Sequence, residues 1–120
     1  MEQVWREVIG YPDYIVSNIG NVKRATVDRR NRRPRELTAT INGRGYFCVG
    51  LCRGDERPRT IAVHKLVAEA FIGPRPAEYD GVDHTDRDKL NNDASNLRYA
   101  TAQQQTANRR KNHDPPSYTL

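Results

Sequence analysis

The sequence predicts an α+β fold: a small antiparallel sheet covered by one helix, followed by a unit of strand, loop, strand and helix. Two observations support this prediction. The first half of the chain holds short apolar segments separated by turn residues, and an amphipathic helical pattern follows them. A chain of 120 residues is long enough for one modest hydrophobic core. We therefore expect one compact domain.

The strands of the sheet are predicted from turn signals. Residues 14–17 and 21–24 flank a turn that ends at Gly20, and they can pair across it. Further short strands are predicted at residues 37–41, 45–52 and 59–63. Cys48 and Cys52 fall on one of these strands, where their Cα atoms would lie about 13 Å apart, too far for a disulfide. We expect both thiols to be reduced.

One helix is predicted over residues 63–72. Its apolar residues recur at i, i+3, i+4, i+7 and i+8, which gives the helix one face that can cover the sheet; they are Val63, Leu66, Val67, Ala70 and Phe71. Gly73 and Pro74 end the helix. His64 lies in the first turn, and we expect it to be a packing or capping group rather than a metal ligand.

The second unit carries the candidate catalytic and metal-binding residues. Asp83 offers an anionic oxygen, which a hard divalent cation prefers, and His84 beside it is a residue type that can act as a general base near neutral pH. Apolar residues alternate along residues 97–100, which is typical of a strand. Thr101 and Gln104 have the spacing of a capping box, which predicts that a helix begins at this point. This combination is typical of a site that cleaves phosphodiesters with one metal ion.

In these residues the chain resembles the HNH endonucleases, most closely the branch found in phages and in intron-encoded homing enzymes. The residues that carry the resemblance are, in chain order, Asp83, His84, Asn91, Asn92, Asn96, Leu97, Tyr99, Thr101, Gln104 and Gln105. The resemblance implies that Asp83 and Gln105 hold one divalent ion, Mg²⁺ or Mn²⁺. It also implies that His84 activates the attacking water and that Asn96 braces the loop that orients His84. Gln105 stands where the family most often has Asn or His, and Asn108, one turn later, is the alternative ligand.

A second resemblance covers the upstream half. Residues 5–24 are similar to a modular N-terminal segment that often precedes this HNH motif, and residues 63–72 are similar to the helix that links the two. We therefore divide the chain into four parts, a β-rich DNA-binding module, a linking helix with its connector, the HNH ββα-metal motif and a flexible tail, at residues 1–62, 63–76, 77–112 and 113–120. We expect a cytoplasmic protein of a bacterial or phage-infected cell.

The basic residues are concentrated in the first half of the chain. Residues 1–60 carry 12 basic and 7 acidic side chains, whereas residues 61–120 carry 8 of each. Clustered Lys and Arg neutralise the phosphates of nucleic acids, so we expect double-stranded DNA as the partner. The candidates for DNA contact are Lys23, Arg24, Arg29, Arg30, Arg32, Arg33, Arg35, Arg98, Arg109 and Arg110.

Other kinds of site fit the sequence poorly. A calcium-binding EF-hand loop begun at Asp86 would place Leu97 where the bidentate Glu belongs. No zinc is expected, because the chain has no Cys-x-x-Cys pair and its three His are scattered. No stretch is apolar enough to span a membrane, and no small-molecule substrate is expected.

The sequence thus predicts a metal-dependent DNA endonuclease of the HNH type that hydrolyses phosphodiester bonds and nicks one strand per active site. The main alternative is a DNA-binding module that keeps the HNH fold without turnover. A third possibility is an RNA-binding or protein-interaction domain that uses the same basic surface without metal. The presence of both Asp83 and His84 favours the enzyme, because a binding module has no need of an acid beside its phosphate contacts.

Overall fold

The computed structural model of the protein describes residues 3–25, 35–53 and 56–113. Its first half forms two antiparallel sheets. The first sheet has the strand order β1-β2-β3-β4, and its strands are β1 Trp5–Val8, β2 Tyr11–Ser17, β3 Val22–Arg24 and β4 Arg35–Glu36. The second has the order β5-β6-β7, with β5 Thr40–Ile41, β6 Phe47–Leu51 and β7 Arg59–Ala62. The predicted hairpin across Gly20 is present, with Val16 opposite Val22.

The second half contains two helices and a two-stranded ribbon. They are α1 Val63–Phe71, β8 Gly81–His84, β9 Leu97–Ala100 and α2 Ala102–His113, and a short 3-10 helix at Ala94–Asn96 precedes β9. The strands β8 and β9 are antiparallel. The predicted α+β class, the helix over residues 63–72 and the strand–strand–helix order are therefore confirmed.

The sequence prediction differs from the structure in how the first half is arranged. The prediction has one sheet, but the strands separate into two, because the chain crosses between them at residues 37–39. The amide of Leu37 is still tied to Val22 O of the first sheet (2.8 Å), so only Thr40 and Ile41 remain of the predicted strand 37–41. Strand β1 is absent from the prediction, since two adjacent charged residues interrupt its alternation.

A single core joins the elements. Helix α1 packs its buried face against both large sheets, and the start of β9 joins the same cluster; the buried members are Val8, Tyr11, Tyr14, Val16, Val22, Val49, Leu51, Val63, Leu66, Val67 and Leu97. Fully burying a Val or Leu side chain contributes about 1.5–3 kcal/mol. The site described below is thus built on one continuous scaffold.

The ends of α1 fix the neighbouring segments. Arg6 of β1 donates to Ala70 O (2.9 Å) and its guanidinium stacks 4.8 Å above the Phe71 ring. Gly73, with φ of +121°, ends the helix as predicted, and the Tyr99 hydroxyl donates to its carbonyl (2.6 Å). These contacts attach β1 and β9 to the same helix. Both described helices lack the length and apolar character of a membrane span.

Candidate active site

Asp83 and His84 are the last two residues of β8. Successive residues of a strand point to opposite faces, so the two side chains diverge. The His84 ring turns into the protein and is only 4% exposed, whereas the Asp83 carboxylate faces the side on which α2 lies. In the ribbon, Asp83 is opposite Arg98 and His84 is opposite Leu97. The ribbon therefore presents an acid and a base from adjacent positions but in different surroundings.

The Asp83 carboxylate is held by two side chains. Arg98 donates to its Oδ2 through Nη2 (3.1 Å) and Nε (3.2 Å). Asn108 of α2 donates through Nδ2 to both carboxylate oxygens (3.1 and 3.3 Å) and to His84 O (3.0 Å). The carboxylate thus has a fixed position, and its charge is compensated by Arg98.

The structure brings Asn108, and not Gln105, to Asp83. Gln105 donates from Nε2 to Ala100 O (3.2 Å) and lies beside Gly81, at the opposite end of β8. The reason is the direction of α2, which turns back along the ribbon after β9. Three further residues of helix advance about 4.5 Å, which carries Asn108 to the end of β8 where Asp83 lies. In the structure Asp83 therefore pairs with Asn108, the alternative ligand, and not with Gln105.

The His84 ring is packed between aromatic rings and held by an amide. Its plane is stacked on Tyr46 with centroids 5.8 Å apart, and the His64 ring meets it edge-on at 5.1 Å. Nε2 lies 2.8 Å from Oδ1 of the buried Asn92. Because an amide oxygen only accepts hydrogen bonds, Nε2 carries the proton in the neutral ring, and Nδ1 has the basic lone pair. The family resemblance points to Asn92 only as part of a paired-Asn loop, without a contact to His84.

His64 is a second buried imidazole beside His84. Burial, followed by the charges of His84 and Lys65, lowers the pKa of His64 to about 4. Its Nδ1 has no hydrogen-bond partner within the described ranges. His64 is therefore a neutral packing group near pH 7, as predicted, and it does not cap α1, which has no side-chain cap.

Asn96 braces the loop that follows β8. Its Oδ1 accepts from Thr85 Oγ1 (2.8 Å) and Asp86 N (3.0 Å). Its Nδ2 donates to Asp86 Oδ1 and to Asn91 O, both at 2.9 Å. The predicted position of Asn96 in this loop is thus observed, but the amide that touches the His84 ring belongs to Asn92.

Two carboxylates of this loop, those of Asp86 and Asp93, accept hydrogen bonds from neighbouring residues of the loop. Asp86 accepts from the Asn91 side chain (2.8 Å) and from Asp88 N (2.8 Å), and these two bonds are the main causes that lower its pKa. Asp93 accepts from Ser95 N (3.0 Å) and caps the 3-10 helix. Within the described residues, no three His, Cys, Asp or Glu side chains are grouped as metal ligands. Any metal here would depend on Asp83 with amide and water oxygens.

The predicted DNA-contacting residues lie in different environments. Lys23 places its ammonium 4.3 Å from the Trp5 ring centroid, and Arg35 is exposed on the edge strand β4. Arg24 is only 4% exposed and its guanidinium carbon lies 5.9 Å from the Tyr14 ring centroid, so it is placed as a core residue. Arg98 is exposed beside the site. Four arginines of the predicted run, Arg29, Arg30, Arg32 and Arg33, lie outside the described residues, as do the side chains of Arg109 and Arg110 and most of the predicted flexible tail.

Two family models match the chain. Residues 62–107 match an HNH endonuclease model, and residues 3–52 match the NUMOD4 motif. The HNH match includes Asp83, His84 and Gln105 and ends one residue before Asn108. The two matches occupy the two halves that the sequence resemblance separates.

Relatives are found among viral and phage proteins. Two uncharacterized HNH endonucleases of Acanthamoeba polyphaga mimivirus are 33% identical over 95 residues and 35% identical over 103 residues. These alignments cover 79% and 83% of this chain but 26% and 24% of the viral proteins. The DNA endonuclease I-HmuI of Bacillus phage SP01 is 35% identical over 100 residues, which are 81% of this chain and 52% of that protein. The chain therefore spans about a quarter to a half of the length of these relatives.

The fold is also similar to a solved structure. That structure is of the HNH homing endonuclease I-HmuI and concerns DNA binding and cleavage. It superimposes on this chain with a TM-score of 0.76 and 32% sequence identity. The superposition covers 96% of this chain and 61% of that one. The similarity therefore extends over both large sheets as well as the ribbon and its helix.

Proposed function

Because the chain belongs to the HNH endonuclease family, we propose that it hydrolyses DNA phosphodiester bonds with the help of one divalent metal ion and nicks one strand per active site. The observation that carries this proposal is the arrangement at the end of β8. The carboxamide of Asn108 donates both to the Asp83 carboxylate and to the backbone carbonyl of the adjacent His84, whose buried imidazole points to the other face of the strand.

The donor set fits a hard cation such as Mg²⁺ or Mn²⁺. Asp83 offers carboxylate oxygens, and Asn108 would offer its amide oxygen after a half-turn of its carboxamide about the Cβ–Cγ bond. One or two protein oxygens are what Mg²⁺ usually takes, with water and substrate phosphate as its other ligands. When bound, the ion supplies stabilisation of the charge that develops on the phosphate and the leaving oxygen.

His84 is the general base in this proposal. With Nε2–H donated to Asn92 Oδ1, the basic Nδ1 takes the proton of the attacking water, and the amide oxygen then stabilises the imidazolium that forms. His64 stays neutral beside it, because its pKa is lowered to about 4. The two rings therefore do not compete for the same proton near neutral pH.

Arg98 is the candidate for contact with the scissile phosphate. In the structure its guanidinium neutralises Asp83, and its side chain is about half exposed. A cation on Asp83 would take over this neutralisation, and the guanidinium would be released to bind phosphate oxygens, for which its planar donors are suited. Arg35, which is exposed on β4, is a further candidate for DNA contact, and so is the predicted arginine run, whereas buried Arg24 is not.

The test is nicking of supercoiled plasmid by purified protein with Mg²⁺, with Mn²⁺ or with chelator. We expect metal-dependent nicked circles that disappear in Asp83→Ala. His84→Ala should keep DNA binding and show a rate reduced by on the order of 10² or more. Undiminished nicking by Asp83→Ala would refute the site.

Two carboxamide residues of α2, Asn108 and Gln105, allow a matched test of which one is the second protein ligand of the metal. Asn108→Ala should raise the Mn²⁺ concentration needed for half-maximal nicking, whereas Gln105→Ala should leave it nearly unchanged, since the Gln105 side chain donates to the backbone carbonyl of Ala100 and not to Asp83. The reverse result would return the ligand assignment to Gln105.

A DNA-binding module without turnover is the second candidate. Two observations favour this candidate. The Asp83 carboxylate already accepts hydrogen bonds from Arg98 and Asn108, and His84 is almost completely buried. This candidate predicts plasmid binding, measured by gel shift, with no nicked product at any metal concentration.

A further inference from the structure

A turn of the first sheet touches the loop that holds the general base. Gly20 lies between β2 and β3, far from the ribbon in sequence, yet an added Cβ at this position would lie 2.8 Å from Asn92 Cβ. In the same place, Ala94 N donates to Asn18 O (2.7 Å). The N-terminal sheet and the HNH loop are thus joined by one close van der Waals approach and one backbone hydrogen bond.

The turn is internally fixed. The hydroxyl of the fully buried Ser17 accepts from Asn21 N (3.0 Å), and the amide oxygen of Asn18 accepts from Val4 N (2.8 Å). Gly20 has φ of +97°, a backbone conformation that side-chain-bearing residues rarely adopt. A rigid turn of this kind limits how closely a neighbouring residue can approach it.

What packs against the turn is the residue that holds His84. Asn92 is 4% exposed, and its Oδ1 lies 2.8 Å from His84 Nε2. A Cβ at Gly20 would have to separate from Asn92 Cβ by about 0.6 Å to reach the 3.4 Å at which ordinary contacts begin. A shift of that size along the Asn92–His84 hydrogen bond would lengthen it beyond the usual limit of about 3.2 Å.

We propose that the Gly20 turn positions His84 through Asn92, so that the N-terminal segment sets the orientation of the general base. Gly20 is then a positioning residue, which touches neither substrate nor metal. This inference rests on the proposed function only for its kinetic consequence, since the physical link from Gly20 to the His84 ring exists without turnover.

The chain offers a matched control for backbone strain. Gly10 also has positive φ, +84°, but no atom lies within 4 Å of an added Cβ. Gly20→Ala and Gly10→Ala therefore impose similar left-handed strain, and only Gly20→Ala pushes on Asn92. We attribute an effect found in Gly20→Ala but not in Gly10→Ala to the contact with Asn92 Cβ, because the next nearest atoms, Asn92 O and Val63 Cγ1, lie at an ordinary 3.6 Å.

The readout that does not depend on activity is the imidazole NMR of His84. Long-range ¹H–¹⁵N spectra report which ring nitrogen carries the proton, and with three His in the chain the signals can be assigned by single substitutions. We expect Gly20→Ala to move the His84 Nε2 resonance and Gly10→Ala to leave it in place. An unmoved His84 resonance in folded Gly20→Ala overturns the proposal.

The kinetic readout separates positioning from binding. In Gly20→Ala, kcat for nicking should fall by up to about 10²-fold, the effect of a misplacement of about 1 Å, while KM and DNA affinity stay within about twofold. In the Asn92→Ala background, Gly20→Ala should add almost nothing, because the positioning amide is already gone. Equal kcat in the two glycine variants, or full additivity with Asn92→Ala, overturns the proposal. If the parent protein nicks no DNA, the proposed function fails, and the NMR comparison still decides this inference.

A second variant covers the case in which Gly20→Ala does not fold. Ala94→Pro removes the amide that donates to Asn18 O, at the first position of the 3-10 helix, where proline is tolerated. The preceding Asp93 already has the extended backbone, ψ of 133°, that proline requires of its neighbour. We expect the His84 resonance to move in this variant as well, and an unmoved resonance overturns the proposal.

Discussion

The buried His64 should make the fold sensitive to mild acid. Its folded-state pKa, about 4, is depressed from the ordinary 6.5, mainly by burial. The unfolded chain therefore binds a proton at His64 more readily than the folded protein does. The contribution of neutral His64 to the free energy of unfolding is fully present above pH 6.5 and is lost as the pH falls from 6.5 toward 4.

The magnitude follows from the two pKa values. Linkage gives a loss of about 2–3 kcal/mol between pH 8 and pH 4.5, a large fraction of the 5–15 kcal/mol that stabilises a typical domain. The matched variant is His64→Phe, which keeps a ring of similar size between Tyr46 and His84 but cannot take a proton. Asp86 does not interfere in this window, because its lowered pKa confines its effect to pH values near and below 3.8.

The assay is urea unfolding at several pH values between 8 and 4.5, followed by Trp5 fluorescence. We expect the free energy of unfolding of the parent protein to fall as the pH is lowered and that of His64→Phe to fall by about 2–3 kcal/mol less. If the two proteins show the same pH dependence within about 0.5 kcal/mol, the error range of such measurements, His64 is not the acid-sensitive group.

Three further results are expected. Asn96→Ala should lower the free energy of unfolding by about 2–4 kcal/mol in the same urea assay, because the four hydrogen bonds of the buried Asn96 carboxamide to Thr85, Asp86 and Asn91 are lost. Arg98→Gln should raise the Mn²⁺ affinity of DNA-free protein by about two- to fivefold in calorimetry, since the guanidinium no longer competes for Asp83; an unchanged affinity would contradict this competition. Joint replacement of the arginine run by Gln should lower the salt slope of DNA binding by up to about 0.9 for each phosphate that is no longer neutralised, and an unchanged slope would mean that the run binds no phosphate; the run is Arg29, Arg30, Arg32 and Arg33.

Features that depend on neighbouring residues in the chain could be predicted from the sequence. The capping box is present as expected, with Gln104 N donating to Thr101 Oγ1 (3.1 Å) and Thr101 N donating to Gln104 Oε1 (2.9 Å). The amphipathic helix α1 and the hairpin across Gly20 are predictable for the same reason. Local geometry and hydrophobic period fix these elements before any tertiary contact forms.

The partners within the site could not be predicted in this way. Whether Gln105 or Asn108 faces Asp83 depends on how α2 lies along the ribbon, and a shift of one helical turn exchanges the two. That Asn92 holds the His84 ring depends on the path of a twelve-residue connection between β8 and β9. Loop path and helix placement are set by packing against the rest of the molecule.

The sequence by itself determined the α+β class, the family and the Asp83–His84 pair, because these are encoded in residue types at fixed spacings. Only the tertiary structure decided that Arg24 is a core residue and that Gly20 lies against Asn92. Both outcomes arise where segments distant in sequence meet, and there the available space and the hydrogen-bond partners come from the whole fold.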